Sequence, residues 1–155
     1  MVDDFFFFRS KNIFSKRFTF IFCVTGEIAG AETIFPFAEK LFIGSENGLF
    51  IYNILPDGTP HYISEYQHFT SCDPVATDGD FAYVTLRSVN ECNLMNAVDQ
   101  LHVLDVSDVE NPVLENVLEM TGPLGVGVHN DVLFVCDGSA GLKIFNAQNA
   151  PDLMP

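Results

Sequence analysis

Gly48-Leu49-Phe50-Ile51-Tyr52-Asn53-Ile54 returns as Gln100-Leu101-His102-Val103-Leu104-Asp105-Val106, and again as Gly141-Leu142-Lys143-Ile144-Phe145-Asn146-Ala147. A second phrase precedes each copy: Leu41-Phe42-Ile43-Gly44, Ala82-Tyr83-Val84-Thr85 and Leu133-Phe134-Val135-Cys136. Two phrases recurring together at a spacing of about 40 residues define a repeat array, in which each unit buries its apolar face against its neighbours.

Working outward from these phrases, short apolar runs alternate with turn residues. Thr33–Phe37, Leu41–Ser45, Leu49–Ile54 and His61–Tyr66 make one group of four predicted strands. Asp73–Thr77, Phe81–Leu86, Leu101–Val106 and Val113–Glu119 make the next; Leu124–Val128, Val132–Asp137 and Leu142–Asn146 begin a third. β-Branched and aromatic residues dominate the runs, which are too short for amphipathic helices. Asn47-Gly48, Asp57-Gly58, Asp78-Gly79, Asn130-Asp131 and Gly138-Ser139-Ala140-Gly141 supply residues that tolerate positive φ in tight hairpins. The expected fold is all-β: a partial β-propeller of four-stranded antiparallel blades, about two and three-quarter of them. The expected division is 32–69 for blade 1, 70–120 for blade 2 and 121–155 for an incomplete blade 3.

Composition narrows the function class. The 155 residues are 48% hydrophobic, with 16 Phe and no Trp, so the chain has the material for a core. The net charge of −14 is uneven: residues 1–24 carry Arg9, Lys11, Lys16 and Arg17, whereas from Thr25 onward only Lys40, Arg87 and Lys143 stand against the carboxylates. Such a body repels phosphates, which argues against nucleic acid and anionic membrane surfaces. Residues 1–31 read as a separate segment. The run Phe18–Val24 followed by Ala29-Gly30-Ala31 allows a secretory signal, and the alternative is upstream sequence unrelated to the repeats.

With the repeats in place, Leu101-His102-Val103-Leu104-Asp105-Val106-Ser107-Asp108-Val109-Glu110-Asn111-Pro112-Val113 resembles the unit of the LVIVD-repeat proteins: an apolar pentad, Asp, then a Ser-Asp-x-x-Asn-Pro exit. Glu32–Pro36, Ser71–Val75, Ala82–Ser88 and Leu133–Leu142 are similar to the same family, and the likeness extends over about Ile28 to Asn149. The resemblance implies a β-propeller, exported or anchored at the bacterial cell envelope, with no established chemistry. Asn53 and Asn146 depart from the pattern where Asp105 keeps it, and the first unit lacks the Ser-Asp turn. Against that pattern the chain reads as a fragment of a longer propeller. Its partners would be the remaining blades, or other copies joined through open strand edges.

The middle unit is longer than the others by about ten residues, placed between Arg87 and Asp99. In an up-and-down blade this loop and the loop leading into the first strand emerge on the same face. Cys72 and Cys92 fall in those two loops, so a disulfide between them is geometrically reasonable. It would close 20 residues for roughly 3 kcal/mol and imply an oxidising compartment; the alternative is two unpaired thiols. Cys136 reads as a buried small hydrophobe.

No catalytic signature emerges. His61, His68, His102 and His129 lack zinc-site spacing, and Asp73, Asp78 and Asp80 lack a calcium-loop rhythm, so no metal or cofactor is expected. Asp78-Gly79 reads as a hairpin turn. Binding of a protein or glycan is expected on the loop face, at His68, Thr70, Asp73, Arg87, Asn90, Asn93 and Asn96. Arg87 either holds a ligand carboxylate or pairs with Asp73 or Glu91 to brace the insertion. The aromatic residues Phe35, Phe37, Phe42, Phe50, Phe81, Tyr83, Phe134 and Phe145 are expected to pack between blades. The competing reading is a propeller enzyme whose central channel draws on Glu32 and Asp73, completed by further blades.

Overall fold

A computed structural model describes residues 28, 30–67, 74–88 and 98–155. They form eleven strands: β1 Ala31–Phe37, β2 Lys40–Ser45, β3 Gly48–Ile54, β4 Pro60–Gln67, β5 Val75–Thr77, β6 Phe81–Leu86, β7 Gln100–Asp105, β8 Val113–Glu119, β9 Gly125–His129, β10 Val132–Cys136 and β11 Leu142–Asn146. The protein is all-β, with three antiparallel sheets ordered β1-β2-β3-β4, β5-β6-β7-β8 and β9-β10-β11. Each strand pairs with its sequence neighbour, as hairpins joined end to end require. Predicted and observed strands agree to within one or two residues at nearly every end. A single 3-10 turn, Gly138–Ala140, fills the β10–β11 connection, and Met154 forms an isolated bridge to Asn146 on the outer edge of β11.

The repetition extends to individual hydrogen bonds. Ile54, Val106 and Ala147 occupy the same position in the three sequence repeats. Each donates its backbone N–H back to the turn between the first and second strands, at Glu39 (2.6 Å), Asp80 (2.9 Å) and Asp131 (2.7 Å) respectively. The fourth strands carry matching irregularities. The β3–β4 register slips between Ile51 and Tyr52 and the β7–β8 register between Val103 and Leu104, leaving Ile63 and Glu115 as the extra residues of two equivalent bulges. Asn130 and Asp131 both take positive φ, 47° and 59°, as a two-residue hairpin of the twist-matching kind needs.

The sheets stack in sequence order, with the second between the other two. Strand alternation sends Ala82, Val84, Leu86, Leu104 and Val106 of the second sheet against Phe42, Leu49 and Ile51 of the first. The opposite face sends Tyr83, Leu101 and Val103 against Leu133, Val135, Phe145 and Ala147 of the third. Both faces of β5, β6 and β7 are therefore buried, and these strands read as near-continuous apolar runs, whereas the outer strand β8 is largely exposed. The first strands are neighbours: β5 packs against β1 on one side and β9 on the other.

Polar stitches cross both junctions at one repeat position. Ser64 and Asn116 each stand opposite the same residue of the third strand, Ile51 and Val103. Ser64 Oγ donates to the Val109 carbonyl in the exit loop of the next sheet, and Asn116 Nδ2 donates to the Pro151 carbonyl at 2.9 Å.

Two sequence expectations need correction. Cys136 is exposed rather than buried, because alternation on β10 commits Leu133, Val135 and Asp137 to the interior and turns Phe134 and Cys136 to the open face of the third sheet. Phe134, at 38% exposure, is not enclosed between sheets; Phe37, equally exposed, still lays its ring against Gly79 of the second sheet's first hairpin. Phe42, Tyr83 and Phe145 are buried, and Phe35 and Phe81 pack against the two cores, as their positions predict.

Candidate functional site

The loop face is built where the lead-in to each first strand meets the connection between second and third strands. In the first sheet, Glu46 N–H of the β2–β3 turn donates to the Gly30 carbonyl at 3.1 Å. In the third, Asp137 at the end of β10 accepts the backbone N–H groups of Thr121 (2.8 Å) and Gly122 (3.0 Å), which precede β9. The two loops thus lie together in both flanking sheets, the arrangement expected for the middle one.

In the middle sheet these loops contain His68, Thr70, Cys72, Asp73, Asn90, Cys92, Asn93 and Asn96, all of which lie outside the described residues, as does Glu91. Arg87 is described; it is half-buried directly after β6. The feature that holds the base of the insertion is one the sequence reading missed. Asp99 Oδ1 accepts the Ser88 N–H at 2.9 Å and Asp99 Oδ2 accepts the Ser88 hydroxyl at 2.8 Å, while the Asp99 carbonyl accepts Met120 N–H at 2.8 Å. One residue ties both stems of the insertion to the lead-in of the third sheet. Asp99→Ala removes both side-chain bonds at an exposed site. It should cost only about 1 kcal/mol in a urea titration, yet markedly increase proteolytic cutting within 87–99.

Asp137 is the most enclosed carboxylate of the described chain. The residue is fully buried, and its Oδ2 meets the Lys143 ammonium at 2.6 Å. Burial alone would raise its pKa; the Lys143 contact and the two N–H donors outweigh that and hold the carboxyl below its ordinary value. The group is a structural clasp that fixes the lead-in of β9, since each of its oxygens is already occupied.

A second polar chain crosses from the first sheet to the second. Tyr66 Oη lies 3.2 Å from His102 Nδ1, His102 Nε2 lies 3.2 Å from Gln100 Oε1, and Gln100 Nε2 donates to Glu119 Oε1 at 2.8 Å. Acceptance at the Gln100 oxygen calls for a proton on Nε2, which leaves Nδ1 to accept from the Tyr66 hydroxyl. Burial raises the Tyr66 phenol above its ordinary value. The amide of Gln100 carries no titratable proton, so the chain orients groups rather than relaying protons to Glu119.

At the opposite end of the sheets, the turns after β1, β5 and β9 surround an open cleft of about 390 Å³ lined by Phe35, Phe37, Thr77, Asp78, His129 and Asp131, among others. Asp78 is committed to its hairpin, as the sequence suggested. Its Oδ1 accepts Asp80 and Phe81 N–H, and its Oδ2 accepts the Tyr83 hydroxyl at 2.7 Å. Burial first, then this bond to Asp78, pushes the Tyr83 phenol far above its ordinary value.

No protein-family profile matches the chain, and no curated protein is significantly similar to it. The exit turns can nevertheless be compared with the pattern that the sequence suggested. Asp105 Oδ1 accepts Ser107 N–H and hydroxyl at 2.8 and 2.6 Å, and those bonds lower its pKa. Asn146 Oδ1 accepts Gln148 N–H at 2.9 Å in the same turn, so an Asn there preserves the Asx turn. Asn53 instead accepts the Lys40 ammonium at 3.3 Å. Among the described residues, no group of three or more His, Cys, Asp or Glu side chains is placed to hold a metal ion, and no helix is long and apolar enough to cross a membrane.

Proposed function

We propose that the chain is an LVIVD-type repeat module whose sheets are blades of a β-propeller. It binds a protein or glycan at the bacterial cell envelope or outside the cell, through the loop face formed by residues 68–73 and 87–99, and performs no chemistry of its own. What carries the radial reading is the packing: β1, β5 and β9 side by side, with identical backbone bonds at Ile54, Val106 and Ala147. What supports the loop face is the extra length of the 87–99 connection, held at its base by Asp99 and Ser88. An ordered scaffold that spends side chains on anchoring an enlarged loop is the usual architecture of a binding surface.

Catalysis at a central channel finds less support. Of the two carboxylates that reading draws on, Glu32 is exposed on β1 and Asp73 lies outside the described residues.

The test is to replace 89–97 with a short Gly-Ser turn and compare binding to a glycan array and to purified peptidoglycan. Loss of binding with unfolding free energy changed by less than about 0.5 kcal/mol is expected. Undiminished binding by the shortened chain would remove the loop face from consideration.

A further inference from the structure

The repeat assigns each apolar side chain a place, and one set of places is left open. Phe42, Tyr83 and Phe134 are equivalent, as are Leu49, Leu101 and Leu142, and Ile51, Val103 and Ile144. In the first two sheets all six members of these sets are buried, at 1% exposure or less. In the third, Phe134, Leu142 and Ile144 are 38%, 59% and 52% exposed. Cys136 is exposed on the same face, whereas its counterpart Thr85 is buried.

What covers this face can be read from the two junctions already formed. In both, the Phe/Leu/Ile side of one sheet meets the opposite side of the following sheet. That opposite side is Ala82, Val84 and Leu104 in the second sheet and Leu133, Val135 and Phe145 in the third, all buried. The corresponding side of the first sheet carries Leu41, Ile43 and Tyr52, which are only half-buried, with Tyr52 braced edge-to-face by Tyr62 at 5.6 Å. The first and third sheets lie on opposite sides of the second, so this surface cannot reach the third sheet of its own chain.

We infer that the open face of the third sheet docks on the first sheet of a second copy of this chain, continuing the intramolecular stack head to tail. Two such contacts would close a pair of chains into a ring of six sheets, a number within the four to eight that propellers use. The ring count rests on the radial reading proposed above; the pairing of faces does not. The surface involved is a pair of sheet faces, not the strand edges that the sequence pointed to.

Light scattering on the full chain should give about twice the 17.2 kDa of one copy. Leu142→Asp and Tyr52→Asp, on the two opposite faces, should each give the single-copy mass while keeping the circular-dichroism spectrum of the parent. Mixing the two variants should restore the doubled mass, because each supplies the face the other lacks. Alkylation of Cys136, followed by peptide mass spectrometry, should be slowed in the parent relative to Leu142→Asp.

A single-copy parent overturns the inference, and leaves the radial reading intact, because an isolated wedge stack needs no second chain. That result is expected instead if residues 1–27 of the same chain cover the face. A doubled mass that survives Leu142→Asp also overturns it, as does a mixture that stays single. A parent that grows with concentration into an open series overturns the closed pair, and the radial reading with it.

Discussion

Leu101→Ala should lower the unfolding free energy by about 3 kcal/mol, read as a shift of the urea midpoint at unchanged slope. Leu101 is fully buried between the second and third sheets, in contact with a cluster that includes Tyr83, Leu133 and Phe145. Truncation removes its transfer free energy and leaves a cavity that two hydrogen-bonded sheets cannot close, since their spacing is set by neighbouring side chains. Leu49→Ala, at the equivalent position one junction earlier, should cost a similar amount. Leu142→Ala is the control. The same residue type at the same repeat position is 59% exposed, so in dilute, dissociated protein the cost should stay below about 0.5 kcal/mol. Equal penalties at Leu101 and Leu142 would contradict the order in which the sheets are stacked.

Asp137→Ala should cost about 2–3 kcal/mol, most of it from the N–H groups of Thr121 and Gly122 left without an acceptor. Lys143, 35% exposed, can turn to water once its partner is gone, so the loss falls short of that for a fully buried pair. Asp137→Asn restores an acceptor but not the charge, and should recover part of the loss. The same residue contributes to acid sensitivity. Its carboxyl titrates lower in the folded protein than in the unfolded chain. Its stabilising contribution is therefore complete above the unfolded value of about 3.9 and is lost as pH falls through the folded value. In Asp137→Asn the decline in stability below that point should be shallower than in the parent. Thermal midpoints measured from pH 6 downward would show this directly, and parallel curves would count against it.

Alternation and turn chemistry are local properties, which is why the strands and the Asp78-Gly79 and Asn130-Asp131 hairpins were legible from the residues alone. Which face of a strand is covered is not local. Phe42, Tyr83 and Phe134 are indistinguishable as text, and only the presence of a neighbouring sheet separates the buried pair from the exposed third. The misreading of Cys136 has the same origin. The bulges at Ile63 and Glu115 escape a period-two reading because an extra residue leaves composition untouched.

Asp137 resembles an ordinary turn acid. A usable signal did exist, since it replaces Ser45 and Leu86 of the other repeats in the same unit that places Lys143, one of only three basic residues beyond Val24, where Phe50 and His102 stand. For the candidate binding surface, the sequence located the enlarged loop but not its fastening at Asp99. Its other named residues, apart from Arg87, fall outside the described chain.

Within each sheet every strand after the first bonds to the strand made just before it, and among the described residues no sheet borrows a strand from another. A nascent polypeptide leaving the ribosome can therefore finish one sheet before the residues of the next have been synthesised. Loop-closure entropy is then met in small local steps. The slow event is docking, when Ser64 must find the Val109 carbonyl and Asn116 that of Pro151, and until then each completed sheet shows an oily face to water or to a chaperone.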